Sequence, residues 1–362
     1  MAMKLLVVTT VLVALALLPL LQLSQALDIV HARELAAKKN VSFILVFGDS
    51  SVDPGNNNRL ATTLKSNFLP YGKNFFNGRP TGRFSDGRLA TDFIADAFGF
   101  TTAIPAFLDP STKEIDLLHG VSFASAGSGY DDLTANLSGV LSVSRQLEYF
   151  KHYKIHLKNL VGLKKAEELI GNAIFLLSMG TNDFLQNYYL EPTRSHQYSV
   201  EQYQNFLVSS MIEDIKVMKS LGATRLVIVG VPPLGCMPLV KTLMDQKTCV
   251  ETYNKVAFSF NSKIQQKLAI VRSKLGIKKT AYIDCYASIL DAINNPNKYG
   301  LTETSKGCCG TGVIEYGDTC RGLSTCEDAR KYVFWDAVHP TQKMYQIIAR
   351  QALESVDANI LL

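Results

Sequence analysis

Three side chains in this sequence have complementary chemistry: a hydroxyl at Ser50, a carboxylate at Asp336 and an imidazole at His339. Ser50 follows the apolar run Phe43 to Phe47 and the break Gly48-Asp49. A strand that stops abruptly in Gly-Asp-Ser delivers its hydroxyl to the carboxyl edge of a sheet, where ligands bind in open α/β proteins. Alone, a serine in a turn is an ordinary capping residue. The other end of the chain changes that, because Asp336-Ala337-Val338-His339-Pro340 places an acid and an imidazole three residues apart. Hydroxyl, imidazole and carboxylate are the parts of an activated-nucleophile hydrolase. Ser50 is the expected nucleophile, His339 the general base and then acid, and Asp336 the group that orients the ring. Pro340 restricts His339 to extended dihedrals and is suited to open a closing helix.

Acyl transfer also needs donors that meet the charge developing on a carbonyl oxygen. The Ser50 backbone N–H, the Gly127 N–H and the Asn182 side-chain amide are the candidates for that oxyanion hole. Glycine at 127 permits close backbone approach, and an Asn amide brings two N–H donors without charge. Asp49, Asp53 and Asp183 compete with Asp336 for the role of acid. Asp49 and Asp183 are read instead as braces for their own turns, and Asp336 is preferred for its tie to His339.

These groups sit at the ends of short buried-strand signals. Ala173 to Ser178 runs into Gly180-Thr181-Asn182, Gly120 to Gly129 is a short strand running into a small-residue turn, and Arg225 to Val231 and Ala281 to Cys285 read as further strands. Between them lie helical patterns at Leu89 to Phe98, Ser142 to Ile155, Leu163 to Ile170, Glu201 to Leu221, Val250 to Leu275 and Gln342 to Ala358. Strands alternating with helices predict a parallel sheet with helices on both faces, a three-layer α/β/α arrangement of about five strands. Arg59 to Asp86 and Cys308 to Asp328 read as long loops, which in ordered proteins are usually functional. No repeat or linker divides the chain, so residues 27–362 are read as one domain.

The chain has 362 residues, with 47% hydrophobic and 19% charged residues and a net charge of +5. Its basic residues are scattered, which fits a solvated surface and excludes a nucleic-acid stripe. Residues 1–26 form a signal-peptide pattern: Lys4, the apolar stretch Leu5 to Leu21, and small residues at Ser24 and Ala26. The expected product is an exported, extracellular protein without stable membrane insertion. Cysteine usage agrees. Cys236, Cys249, Cys308, Cys309, Cys320 and Cys326 lie in loop-like sequence and are disulfide candidates in an exported chain. Their pairing is open, and their spacing lacks the paired C-x-x-C of a zinc site. Cys285 reads as a buried free thiol in a strand. Asn40-Val41-Ser42 and Asn136-Leu137-Ser138 are N-glycosylation sequons. His152 and His156 have metal-compatible spacing but no third ligand, so no metal is expected; His31, His119 and His196 are read as surface residues. Trp335, Tyr71, Phe75 and Phe76 are read as packing residues that could alternatively line an acyl pocket. G-x-S-x-G, H-E-x-x-H and Walker A patterns do not occur.

The motifs together resemble the plant GDSL esterase/lipases of the SGNH hydrolase superfamily, in particular the secreted extracellular-lipase group. Phe47-Gly48-Asp49-Ser50 with Asp53 to Asn57, the Gly82 to Arg88 segment, Phe123 to Gly127, Gly180 to Asp183, Val231 to Cys236, and Tyr332 to Pro340 occur in family order. The resemblance covers nearly the whole mature chain. It implies Ser50 as nucleophile, Gly127 and Asn182 in the oxyanion hole, and His339 as base with Asp336 as partner. It further implies a flavodoxin-like sheet with an open surface cleft. One departure is Ser122, where the family often has Asn, and it leaves the hydrogen bonding behind the oxyanion loop open.

The expected function is a cofactor-free serine esterase/lipase acting through an acyl-serine intermediate on a small-molecule or lipid ester, or on an acylated cell-wall polysaccharide. The alternatives are an acyltransferase using the same intermediate and a catalytically silent secreted binding protein. Acyl length, alcohol and oligomeric state are set by features that motifs do not encode.

Overall fold

The computed structural model describes residues 30–361; the signal-peptide segment lies outside the described residues. Strand β1 (Ile44–Gly48) is buried along its whole length, as is β3 (Ile174–Ser178). Continuous apolar runs of this kind suit strands covered on both faces. With β2 (Val121–Ser122), β4 (Arg225–Val229) and β5 (Lys279–Ile283) they form a five-stranded sheet in the order β2-β1-β3-β4-β5. All four pairings are parallel. This is the flavodoxin-like order, and its switch point falls between β1 and β3, where connections leave in opposite directions and open a crevice at the carboxyl edge. The fold is the three-layer α/β/α arrangement expected.

Side chains alternate between the two faces of each strand. Phe47 and Phe175 meet Phe150 of the Val143–Val161 helix edge to face. That layer also holds the helices Val200–Ser220 and Glu251–Lys274. On the opposite face the Gln342–Val356 helix packs against Ala90–Ala97, Cys285–Asn294 and β5. A second, small parallel sheet pairs β6 (Glu303–Gly307) with β7 (Tyr332–Phe334). It borders a satellite core containing Phe68, Tyr71, Phe84, Trp335 and the disulfide cysteines 308, 309 and 320.

The register of β1 on β3 sets Gly48 opposite Ser178, so both strands break at one level. Gly48 has φ +149°, and a Cβ there would lie 2.1 Å from the Ser178 carbonyl oxygen. Only glycine fits. Its backbone N–H donates to Gln146 Oε1, and its carbonyl accepts from Gln146 Nε2, both at 2.9 Å. One buried amide thus completes the hydrogen bonding of the strand end that carries Ser50.

Three details differ from the sequence reading. Cys285 is not in a strand; β5 stops at Ile283, and Cys285 opens a helix whose cap, Asp284, accepts from the Ala287 N–H. The thiol is nonetheless free and buried, with Sγ on the Gly230 carbonyl. Pro340 does not open the last helix: Thr341 is its N-cap, accepting from the Met344 N–H, and Pro340 bridges Phe334 instead. Strand β6 was missed because ETSKG is polar and mostly exposed, so no apolar run marks it.

Replacing Gln146 with Leu keeps the approximate volume but strands the Gly48 N–H, while the Gly48 carbonyl keeps its bond from the Ser125 N–H. Urea denaturation should show a loss of about 1–3 kcal/mol, because an unmet buried donor carries its full desolvation cost.

Candidate active site

Ser50 and His339 meet. The imidazole Nε2 lies 2.9 Å from Ser50 Oγ, and Nδ1 lies 2.9 and 2.8 Å from the two carboxylate oxygens of Asp336. An ionised carboxylate has no proton to give, so Nδ1 carries the hydrogen and Nε2 of the neutral ring accepts from the serine hydroxyl. The other histidines, at 31, 119, 152, 156 and 196, are exposed.

Asp336 follows β7 and is fully buried. Its Oδ1 also accepts from the Val338 N–H at 2.9 Å and the His339 N–H at 2.7 Å, which folds residues 336–339 into a tight turn. The turn is closed by the Trp335 N–H on the His339 carbonyl at 2.7 Å. On the far side, the Tyr71 hydroxyl donates to Asp336 Oδ2 at 2.7 Å and accepts from the Gly317 N–H at 2.7 Å. Burial and the neighbouring Asp336 charge push the Tyr71 phenol well above its usual range, so it stays a donor. The Cys308 and Cys309 N–H groups both donate to the Trp335 carbonyl. Those cysteines are bonded as Cys308–Cys326 and Cys309–Cys320, and the remaining pair is Cys236–Cys249. Tyr71 and Gly317 as supports of Asp336 escaped the sequence reading. Tyr71 stood out only as an aromatic in a long loop, and nothing local marks Gly317.

The oxyanion candidates converge on the same cleft, which Ser50, Gly127, Asn182 and His339 all line. Among the described residues neither the Ser50 nor the Gly127 N–H has a protein acceptor. Asn182 spends one side-chain N–H on the Ser128 carbonyl at 2.9 Å, which fixes the amide and leaves its second N–H. Gly127 has φ +90°, and a Cβ there would meet Leu64 at 2.5 Å.

The loop behind Gly127 is cradled by the Asp53–Asn57 segment. Asp53 accepts from the Gly55, Asn56 and Ala126 N–H groups. Asn56 donates to the Ser122 and Ala124 carbonyls, and Asn57 to that of Ala126. Ser122 donates to the Val52 carbonyl and accepts from the Ala124 N–H, so the hydroxyl serves this loop where the family often has an amide. Asp49 accepts from the Ser51 N–H and hydroxyl, and Asp183 from the Tyr130 and Asp131 N–H groups and the Thr134 hydroxyl. Asp49 braces its own turn, as expected, whereas Asp183 anchors a segment 49 to 53 positions away and not the turn it sits in. Tyr71 and Trp335 belong to the satellite core, while Phe75 and Phe76 line a separate polar groove. No group of His, Cys, Asp and Glu suited to a metal occurs among the described residues, and no helix among them is long and apolar enough to cross a membrane.

Burial raises three carboxylates near the site: Asp49 and Asp53 to about 6, and Asp183 to about 7, with their hydrogen bonds opposing the rise. Each is more basic folded than unfolded, so the folded state holds the extra protons. The penalty for ionising them grows as pH rises from about 4 to 7. Urea midpoints should therefore fall between pH 5 and pH 8, with a shallower slope in Asp183→Asn whatever its absolute stability. Tyr71→Phe removes a donor from Asp336 and an acceptor from Gly317, and should cost about 1–3 kcal/mol in the same assay.

The GDSL-like Lipase/Acylhydrolase family model matches residues 44–352. One GDSL esterase/lipase of Arabidopsis thaliana is 58% identical over 359 residues, covering 99% of this chain and 100% of its own. A second from the same plant is 43% identical over 317 residues, covering 86% and 91%. A solved lipase from a goat rumen metagenome, 12% identical with a TM-score of 0.40 and covering 87% of this chain and 97% of its own, is too remote a likeness to bear on substrate or mechanism. The chain belongs to the GDSL lipase/acylhydrolase family and is a carboxylic ester hydrolase.

Proposed function

We propose that this hydrolase is an exported serine esterase that works through an acyl-serine intermediate, with Ser50 as nucleophile, His339 as base and acid, and Asp336 as the group that orients the ring. The observation that carries the reading is the unbroken path from Ser50 Oγ through both ring nitrogens of His339 to the buried Asp336. In the first step Nε2 takes the Ser50 proton as Oγ bonds to the ester carbonyl carbon. The carbonyl π electrons move to oxygen, where the Ser50 N–H, Gly127 N–H and Asn182 amide receive the charge. Collapse of the tetrahedral species expels the alkoxide, which takes the proton from Nε2 and leaves as alcohol. Water repeats the sequence on the acyl-serine, with His339 again as base, and releases the acid. Asp336 stays ionised throughout and stabilises the imidazolium.

Export is supported by the three disulfides, which persist in oxidising compartments. It is also supported by the exposure of both sequon residues, Asn40 and Asn136, which we propose as glycosylation sites. The substrate is an ester small or flexible enough to enter the cleft, acylated polysaccharide chains included.

Ser50→Ala and His339→Ala should each lower kcat on p-nitrophenyl acetate by about 10³-fold or more with the circular dichroism spectrum unchanged. The wild type should show stoichiometric labelling of Ser50 by a small organophosphonate. Turnover that survives both substitutions overturns the reading.

A further inference from the structure

Two cavities share Ser50, Asn182, Val338 and His339 as a common wall. They differ in character. The first is the open cleft that holds Gly127, rimmed by Thr63, Gln186 and Glu191 as well as apolar groups. The second runs inward, between the sheet and the layer of the Gln342–Val356 helix. Its walls are Leu176, Val229 and Ile283 on the strands, and Ile94, Ile348 and Ala352 on the helices. Leu176, Val229 and Ile283 lie on the face of the sheet opposite to Phe47 and Phe175, which the alternation of strand side chains requires. Its deep lining is withdrawn from solvent: Leu176, Ile94, Ile283 and Ala352 are all buried.

Resting on the acyl-serine reading, we propose that this inner chamber receives the acyl chain of the substrate, that the open cleft receives the alcohol, and that Ile348 and Ala352 set the upper limit of acyl length. The difference in lining supports that assignment. The alcohol leaves first, while the acyl group remains bonded to Ser50 Oγ and keeps its apolar contacts until water releases it. Chemistry agrees with geometry: beyond its carbonyl an acyl chain has no polar atom to satisfy, and the chamber's far walls are aliphatic. The alcohol of a glyceride or sugar brings hydroxyls, which the more polar rim of the open cleft can meet.

Length follows from the helix that forms the deep wall. Tyr345, Ile348 and Ala352 line the chamber in succession, and from the first to the last the helix rises about 10 Å at ~1.5 Å per residue. An extended hydrocarbon advances ~1.2 Å per bond, by analogy with the extended backbone, so roughly eight carbons fill it. Each methylene taken up should raise kcat/KM by about fourfold, until the chain reaches Ala352.

The test compares p-nitrophenyl acetate, butanoate, octanoate and dodecanoate in the wild type, Ala352→Phe and Ile348→Ala. The wild-type profile should rise from acetate through butanoate, peak at octanoate and fall at dodecanoate. Ala352→Phe should lower the octanoate-to-acetate ratio of kcat/KM at least tenfold, and Ile348→Ala should move the peak to longer chains. Using ratios removes any general loss of folded enzyme, and the second variant serves if the first does not fold. Labelling by methyl- and octyl-phosphonate p-nitrophenyl esters separates the two readings. Failure of both probes to label Ser50 overturns the acyl-serine mechanism and the chamber with it. Labelling of Ser50 with a chain-length profile that neither variant moves overturns the chamber alone.

Discussion

A carboxylate removed from water must be met by donors, and Asp336 imposes that demand on the whole carboxyl-terminal third of the chain. It has no solvent exposure. Its oxygens are met by two backbone N–H groups of its own turn, the His339 ring and the Tyr71 phenol. Each donor is supplied by a different structural device. The turn is closed on itself through Trp335, the phenol is aligned by Gly317, and the Trp335 carbonyl is gripped by two successive cysteine N–H groups. Removing water from an ion costs several kcal/mol unless hydrogen bonds replace the lost hydration. The satellite core can be understood as the structure that keeps those replacements in place.

The remaining buried acids illustrate how position, and not residue type, decides what a carboxylate does. Asp49, Asp53 and Asp183 are all buried and all bonded to backbone N–H groups. None faces an imidazole at hydrogen-bond distance, and burial raises each above its ordinary range. Their work is to hold loops: Asp53 fixes the backbone behind Gly127, and Asp183 anchors the segment that follows Ser128. Among the donors of the proposed oxyanion hole the Ser50 and Gly127 N–H groups are left without a protein acceptor, and Asn182 keeps one of its two side-chain N–H groups.

Much of this was legible in the sequence. Buried strands such as FILVF and AIFLLS announce themselves because a parallel sheet covered on both faces needs continuous apolar runs. The helices with clear periodicity and glycine stops fell within a few residues of their observed bounds, and the Gly-Asp-Ser and Asp-x-x-His motifs pointed to two groups that lie side by side. What stayed hidden was long-range. Gln146 bridges the strand end that carries Ser50, yet a single glutamine in an amphipathic helix carries no mark of a partner 98 positions away. Tyr71 reaches Asp336 across 265 positions. Strand β6 has no apolar pattern because only its last residue is buried, and its partner β7 lies about 25 to 30 positions further along. The six loop cysteines allowed many pairings, and only the fold selected among them.

The proposed nucleophile rides on the central sheet, whereas the acid and imidazole ride on a turn that borders both cores, Phe334 packing into the main one and Trp335 into the satellite. Two short cross-linked loops, with cysteines 11 and 18 residues apart, hold the backbone that grips the Trp335 carbonyl, so the aim of the imidazole is secured by covalent bonds as well as by packing.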